Sequence, residues 1–210
     1  MKKGFILLAV CLALIAVTLT GGVKVVRIGE EDALIGREEN AGLDVAAFWN
    51  SQAIPEIEGE AVALDRLLND ANGDLSTQAD KAHKTQGSNG IDFAVHGRAE
   101  VTEVMTEKKA GYIILKVEGY EGNTLVKLQV GTVFKQYSVR DYLSFINVNS
   151  FKDQIEYAQL AKNINSYILE HVIADTDVHA LVGKTIDFYG CFTYENDDEI
   201  LITPVTLTVE

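Results

Sequence analysis

Cysteine is scarce in this chain, with two residues in 210. Cys11 lies in an apolar N-terminal run and Cys191 stands alone in the rest, so no internal disulfide is expected. Cys191 sits in the alternating stretch IDFYGCFTY and reads as a buried core thiol. Clustered positive charge is also missing. Lys and Arg number 18 against 31 Asp and Glu, a formal net charge of -13, and no basic run is interleaved with aromatics. Binding a phosphate backbone needs such a patch, so nucleic acid is excluded as a partner. The familiar catalytic signatures are absent as well: no Gly-x-Ser-x-Gly elbow, no Walker sequence and no Gly-x-Gly-x-x-Gly loop. The four histidines, His83, His96, His171 and His179, fall in no metal-ligand spacing with Cys, Asp or Glu, so neither a metal nor a cofactor is expected. The stretch NDANGDLSTQAD alternates Asp70, Asn72 and Asp74 like a calcium loop. Its twelfth position carries Lys81 instead of Glu, so it reads as a turn between helices.

What is present begins at the N-terminus. Lys2 and Lys3 precede an uncharged apolar run, residues 4–23. A positive start before such a run marks a segment for export, and its length approaches the ~20 residues that span a bilayer. Residues 1–22 are therefore read as a signal or membrane anchor. Three fates are open: retention as an anchor, cleavage near TLTGG, or lipid attachment at Cys11, where LLAVC is similar to a lipobox. Each leaves the bulk of the chain outside the cytoplasmic membrane.

Residues 23–41 read as a charged tether, with a short strand at 23–28. Residues 42–88 read as a small helical subdomain. Asp44 is placed to cap a first helix that Pro55 ends. Ala61, Leu64, Leu67, Leu68 and Ala71 share one face of a second helix, stopped by Gly73. Ser76 is the expected cap of a third helix, which ends at Gly87. From residue 89 the period changes to two. IDFAVHGRAEVTEVM predicts a long strand that bulges at Gly97, and YIILKV and TLVKLQV predict two more. After the helical stretches SVRDYLSF and FKDQIEYAQLAKNINSYILEHV come the strands TIDFYGCFTY and ILITPVTLTVE. Three strands, a helix and two strands is the order of an OB-like barrel. The fold class is therefore α+β, with an OB-like five-stranded barrel over 89–210 and its helix between strands three and four.

The helix from Phe151 carries an apolar stripe of Phe151, Ile155, Ala158, Ala161, Ile164 and Ile168. Asp153 lies at its start, where the helix dipole favours a carboxylate. Glu156, Gln159, Asn163 and Ser166 fall towards the other side. In one reading Gln154, Glu156 and Tyr157 satisfy the backbone of the preceding loop. In another, Asp153 or Asp141 pairs with Glu156 as the carboxylates of a carbohydrate-active hydrolase, which in a retaining enzyme stand about 5–5.5 Å apart.

The stretch LQVGTVFKQYSVRDYLSFINVNSFKDQIEYAQLAKNIN resembles the bacterial family known as domain of unknown function 2291, predicted periplasmic lipoproteins. Val130, Gly131, Arg140, Asp141, Gln154, Ile155, Glu156, Tyr157 and Ala158 match its pattern, as do LDVAAFWNSQAIPEI and ITPVTL. Thr132 and the pair Lys135–Gln136 depart from it. The resemblance implies a small helical domain followed by an OB-like domain, and a role near carbohydrate uptake by ABC importers. It implies no established activity.

The expected function is thus a membrane-anchored extracytoplasmic binding or accessory protein, not an enzyme, with sugar-transporter components or carbohydrate as partners. A structural envelope protein with no small ligand is the alternative. Lys135, Gln136, Tyr137, Arg140 and Asp141 are the candidate contact residues, on the ground that Gly131 would let a partner approach the backbone. A buried salt bridge is the other reading of Arg140.

Overall fold

The computed structural model describes residues 44–85 and 90–210. The apolar run, Cys11 and the tether, including the short strand expected at 23–28, lie outside the described residues, as does Gly87. Among the described residues no helix is long and apolar enough to cross a membrane. The described residues form one compact unit.

Five strands close a barrel: β3 (Ile91–Met105), β4 (Tyr112–Val117), β5 (Leu125–Gln129), β6 (Thr185–Thr193) and β7 (Glu199–Val209). Their order is β3-β4-β5-β7-β6, and β3 also pairs with β6 to complete the circuit. All neighbours are antiparallel except β5 and β7, which run parallel. Strand β3 is long enough to serve two partners. Its first part lies against β6 (Asp92↔Thr193 to Glu100↔Thr185) and its last part against β4 (Ala99↔Val117 to Met105↔Tyr112). The irregularity that bends it falls between Val101 and Glu103, not at Gly97 as the sequence suggests.

Gly97 has a different use. A Cβ there would meet the Phe188 ring at 3.2 Å, so the glycine makes room for Phe188, its register partner on β6. Residues 92–95 are all buried, with no alternation. One face points into the barrel, and the other is covered by helices. Phe93 stacks on its cross-strand partner Phe192 with centroids 5.1 Å apart, the kind of pairing that reinforces an antiparallel ladder.

The cover starts with α1 (Val45–Phe48), and the Asp44 side chain accepts from the Ala46 N–H as its cap. Pro55 does not end this segment. A π-turn at Trp49–Ala53 carries the chain into α2 (Ile54–Glu60), whose first turn holds the proline, a place where its missing N–H costs nothing. The second predicted helix is also interrupted. Val62 and Ala63 form the short strand β1, parallel to β3, before α3 (Leu64–Ala71) begins. Asn72 closes α3 in the left-handed conformation. Asp74, rather than Ser76, caps the turns that follow. In the supposed calcium loop, Lys81 Nζ lies 3.0 Å from Asp70 Oδ2, a tie across a helix-to-helix turn. His83 and Lys84 form β2, antiparallel to the start of β3.

Between β5 and β6 lie α4 (Ser138–Tyr142) and α5 (Gln154–Ile168). The helix between strands three and four of the barrel is therefore where the sequence puts it, but its inward face is rotated. Tyr157, Leu160, Ala161, Ile164 and Ile168 are buried, whereas Ile155 is 77% exposed. Asp153 caps the helix, accepting from Ile155 N (2.9 Å) and Glu156 N (3.0 Å). Glu156 reaches back to accept from Lys152 N at 2.8 Å, one residue before the N-cap, a relative of the capping box in which the acceptor serves the N-cap N–H itself. The reading that Glu156 satisfies the preceding loop is correct.

Asp92 is a buried carboxyl at the start of β3, 0% exposed. It accepts from the Thr193 and Thr85 hydroxyls, each at 2.5 Å. Burial pushes its pKa up to about 6, although both hydroxyls and Arg140 favour the charged form; Asp141 nearby adds to the rise. A raised folded-state pKa means that the native state holds the proton more tightly than the unfolded chain. Stability therefore falls as pH rises from about 4 to about 6, by up to about 3 kcal/mol for the full shift. In Asp92→Asn this loss disappears. Urea midpoints measured at pH 4.5 and 7.5 should show the variant gaining on the wild type at the higher pH. Parallel losses in the two proteins would contradict the assignment.

Candidate functional site

The predicted contact residues fall into two groups. Arg140 and Asp141, on α4, are brought together inside the molecule. Arg140 is 7% exposed. Its Nε and Nη2 donate to Asp141 Oδ1 (2.8 and 2.6 Å), and Nη1 donates to the Tyr157 carbonyl (3.1 Å). Its guanidinium lies 3.7 Å from the Tyr157 ring centroid and 5.1 Å from that of Tyr137. Tyr157 Oη in turn donates to Asp141 at 3.1 Å. Burial raises the Asp141 carboxyl, and Arg140 and the Tyr157 hydroxyl pull against that rise. The same surroundings push the Tyr157 hydroxyl up to about 12, burial first and the Asp141 charge second. The pair is a tie between α4 and α5, with its polar atoms turned to each other instead of to solvent.

The loop before it is also held from inside. Lys135 N donates to the buried Gln129 Oε1 at 2.8 Å, and Gln129 Nε2 donates to Thr203 Oγ1 at 2.7 Å. The Gln136 carbonyl accepts from Asn165 Nδ2, and its side-chain amide donates to Glu195 at 3.1 Å. The Lys135 side chain is exposed and borders a small cavity of ≈ 210 Å³ with Met105, Glu107 and Tyr112. Gly131 does not open the backbone to a partner. The chain itself takes that space, since a Cβ would stand 2.1 Å from Gly111 N and 2.4 Å from the Lys109 carbonyl. Of the carboxylates considered for hydrolysis, Asp153 and Glu156 are engaged as helix caps and Asp141 with Arg140. Cys191 is fully buried, and burial pushes its thiol well above the usual range.

The larger concavity lies on the barrel wall, where sequence reasoning placed no site. A groove of ≈ 550 Å³ runs over β3, β4, β6 and β7, and its lining includes His96, Arg98, Glu118, Asp187, Tyr189 and Thr206. Gly97 and the buried Phe188 also line it. The side chains that edge it follow from strand alternation: His96 and Arg98 on β3 face outward with Asp187 and Tyr189 on β6. The His96 and Tyr189 rings are 5.3 Å apart, tilted by 30°. Arg98 is the one Lys or Arg of the groove's lining and ties β3 to Asp187 on β6 and to Glu118 and Glu210, the residues just past β4 and β7. It donates to Glu118 Oε1 (3.1 Å), Asp187 Oδ2 (2.9 Å) and the Glu210 carboxylate. Those hydrogen bonds hold the Glu210 carboxyl below the usual carboxylate range. The signal in the sequence was the alternation HGR opposite DFY, visible only once the β3–β6 register is known.

The fold has a solved relative. An OB-fold protein from Thermotoga maritima superposes with a TM-score of 0.60 at 18% identity, covering 80% of this chain and 99% of that one. At that identity the likeness speaks for the fold alone. No curated protein matches the sequence. The profile of the domain of unknown function 2291 family, described as predicted periplasmic lipoprotein, matches residues 13–208. The chain therefore belongs to this family of extracytoplasmic, membrane-anchored proteins, built here on an OB-like barrel under a helical cover.

Proposed function

We propose that the protein is an extracytoplasmic binding or accessory protein, not an enzyme, whose barrel wall takes a neutral, polyhydroxylated ligand of the carbohydrate class. The groove over β3 and β6 carries this reading. It offers a half-buried aromatic face at Tyr189, hydroxyls at Thr206 and Thr208, and carboxylates held in place by one guanidinium. Sugars are bound by that combination: an apolar ring face against an aromatic, and fixed polar groups on the hydroxyls. The net charge of -13 disfavours anionic ligands and phosphate backbones. Two of the groove's carboxylates, Glu118 and Asp187, are tied to Arg98, which supports recognition over acid–base chemistry. Work beside a sugar ABC importer fits the family resemblance and an extracytoplasmic position.

Titration of the detergent-solubilised chain with a panel of neutral mono- and oligosaccharides tests this. At least one sugar should bind saturably, and Tyr189→Ala should weaken it by about tenfold. Arg98→Ala, which frees the walls of the groove, should also weaken it. If no sugar shifts the melting temperature and no transporter component co-purifies, the proposal fails.

A further inference from the structure

Among the described residues, one group of metal-ligating side chains converges: Glu56 and Glu60 of α2, and His83 of β2, with one ligand atom from each lying within 4.8 Å of the others. It shares no residue with the groove. We propose that it is a binding site for a divalent first-row transition ion such as zinc. The argument starts at the imidazole. His83 Nδ1 lies 2.7 Å from the Tyr142 carbonyl, which can only accept, so Nδ1 carries the hydrogen. In the neutral ring Nε2 then presents a lone pair, and it faces Glu60 Oε2 at 3.0 Å. Two acceptors at that distance need either a proton or a metal ion between them. A proton on Nε2 would bridge to Glu60 alone, whereas the second carboxylate, Glu56, one helical turn earlier, lies within 4.8 Å of both and could share a metal ion with them. A divalent ion serves all three.

The surroundings are those of an oriented ligand set. Tyr142 Oη donates to Glu60 Oε2 at 3.0 Å, Ser144 N donates to Glu56 Oε1 at 2.6 Å, and the Tyr142 carbonyl fixes the His83 tautomer. The His83 ring stacks on Tyr142, centroids 4.1 Å apart and planes within 4°. One short segment, residues 142–144, therefore aims every ligand, as outer-shell partners do in metal sites. Imidazole with two carboxylates suits zinc and its neighbours better than calcium or magnesium, and the lack of a thiolate disfavours copper(I). Three protein ligands, with Glu60 exposed, leave a coordination position open to water or to a donor from outside. The sequence hides the site because α2 and β2 are separated by α3 and its loop.

Full-length, tag-free protein in detergent should retain one equivalent of zinc after dialysis, measured by elemental analysis. It should also give a cobalt(II) visible spectrum of nitrogen–oxygen coordination. His83→Ala and Glu60→Gln should each weaken zinc binding by at least about a hundredfold, beyond the 10–100-fold typical of outer-shell changes. Asp70→Asn, an exposed carboxylate outside the group, should leave it unchanged. Should His83→Ala fail to fold, Glu60→Gln decides, because its side chain is half exposed and keeps its shape. Substoichiometric zinc in the wild type, or binding undiminished in Glu60→Gln, overturns the proposal. The outcome is independent of sugar binding in the groove.

Discussion

Arg140→Met lowers the free energy of unfolding by about 3–5 kcal/mol, the usual cost of removing one partner from a buried ion pair. The size follows from what is left behind. Asp141, whose side chain is 10% exposed, keeps only the Tyr157 hydroxyl as a donor among its described partners. The Tyr157 carbonyl loses its guanidinium, and the ring loses a cation 3.7 Å from its centroid. Burial already raises the Asp141 carboxyl against the pull of Arg140, so without Arg140 it rises further. A raised folded-state pKa makes stability fall as pH increases, and the variant should therefore be most damaged near neutral pH and less so in acid. Asp141→Asn added to Arg140→Met should recover part of the loss, because it removes the stranded charge. Urea unfolding of the single and double variants at pH 5 and 7.5 checks each step. A loss below about 1 kcal/mol, or one that ignores pH, would show that the pair is a surface contact after all.

Gly131→Ala should be as damaging, for a steric reason. The new methyl would lie 2.1 Å from Gly111 N, 2.4 Å from the Lys109 carbonyl and 2.8 Å from Gly111 Cα. All three are backbone atoms, so no rotamer change relieves the clash. The two segments are also stitched together by Val130 N and Gly131 N donating to the Gly111 carbonyl (3.1 and 2.9 Å) and Val133 N to that of Lys109 (3.0 Å). Separating them disrupts the barrel rim, and a loss of about 3 kcal/mol or more is expected. Gly59→Ala is the contrasting control. Gly59 lies in α2 with nothing within 4 Å of its added Cβ, so alanine should stabilise by about 0.5–1 kcal/mol. Equal thermal melts for the two variants would refute the account.

The barrel was legible because its strands alternate and its helix interrupts them in the OB order. What escaped was set by neighbours in space. The covered face of β3 hid the alternation at residues 92–95. Ile155 falls on the apolar stripe of α5 yet is exposed, because periodicity gives a face but not its rotation, which Tyr157 and Leu160 decide by packing. Pro55 alone does not tell an end from a beginning, since proline suits a first turn as well as a terminus, and here it opens α2. The Arg140–Asp141 motif was visible as a motif, but its burial depends on α5. The groove and the Glu56–Glu60–His83 group join residues that only the strand register and the helical cover bring together.

Strand β3 has one more implication, for the order of events in assembly. Its two neighbours in the barrel come from opposite ends of the sequence that follows: β4 is a hairpin away, whereas the Arg98–Asp187 bond across β3 and β6 spans 89 residues. Contacts that distant make folding slow, because a long loop must be closed before they form. The β3–β4–β5 meander alone has no partner for its outer barrel edges, and the barrel closes only when β6 pairs with β3 and β7 with β5.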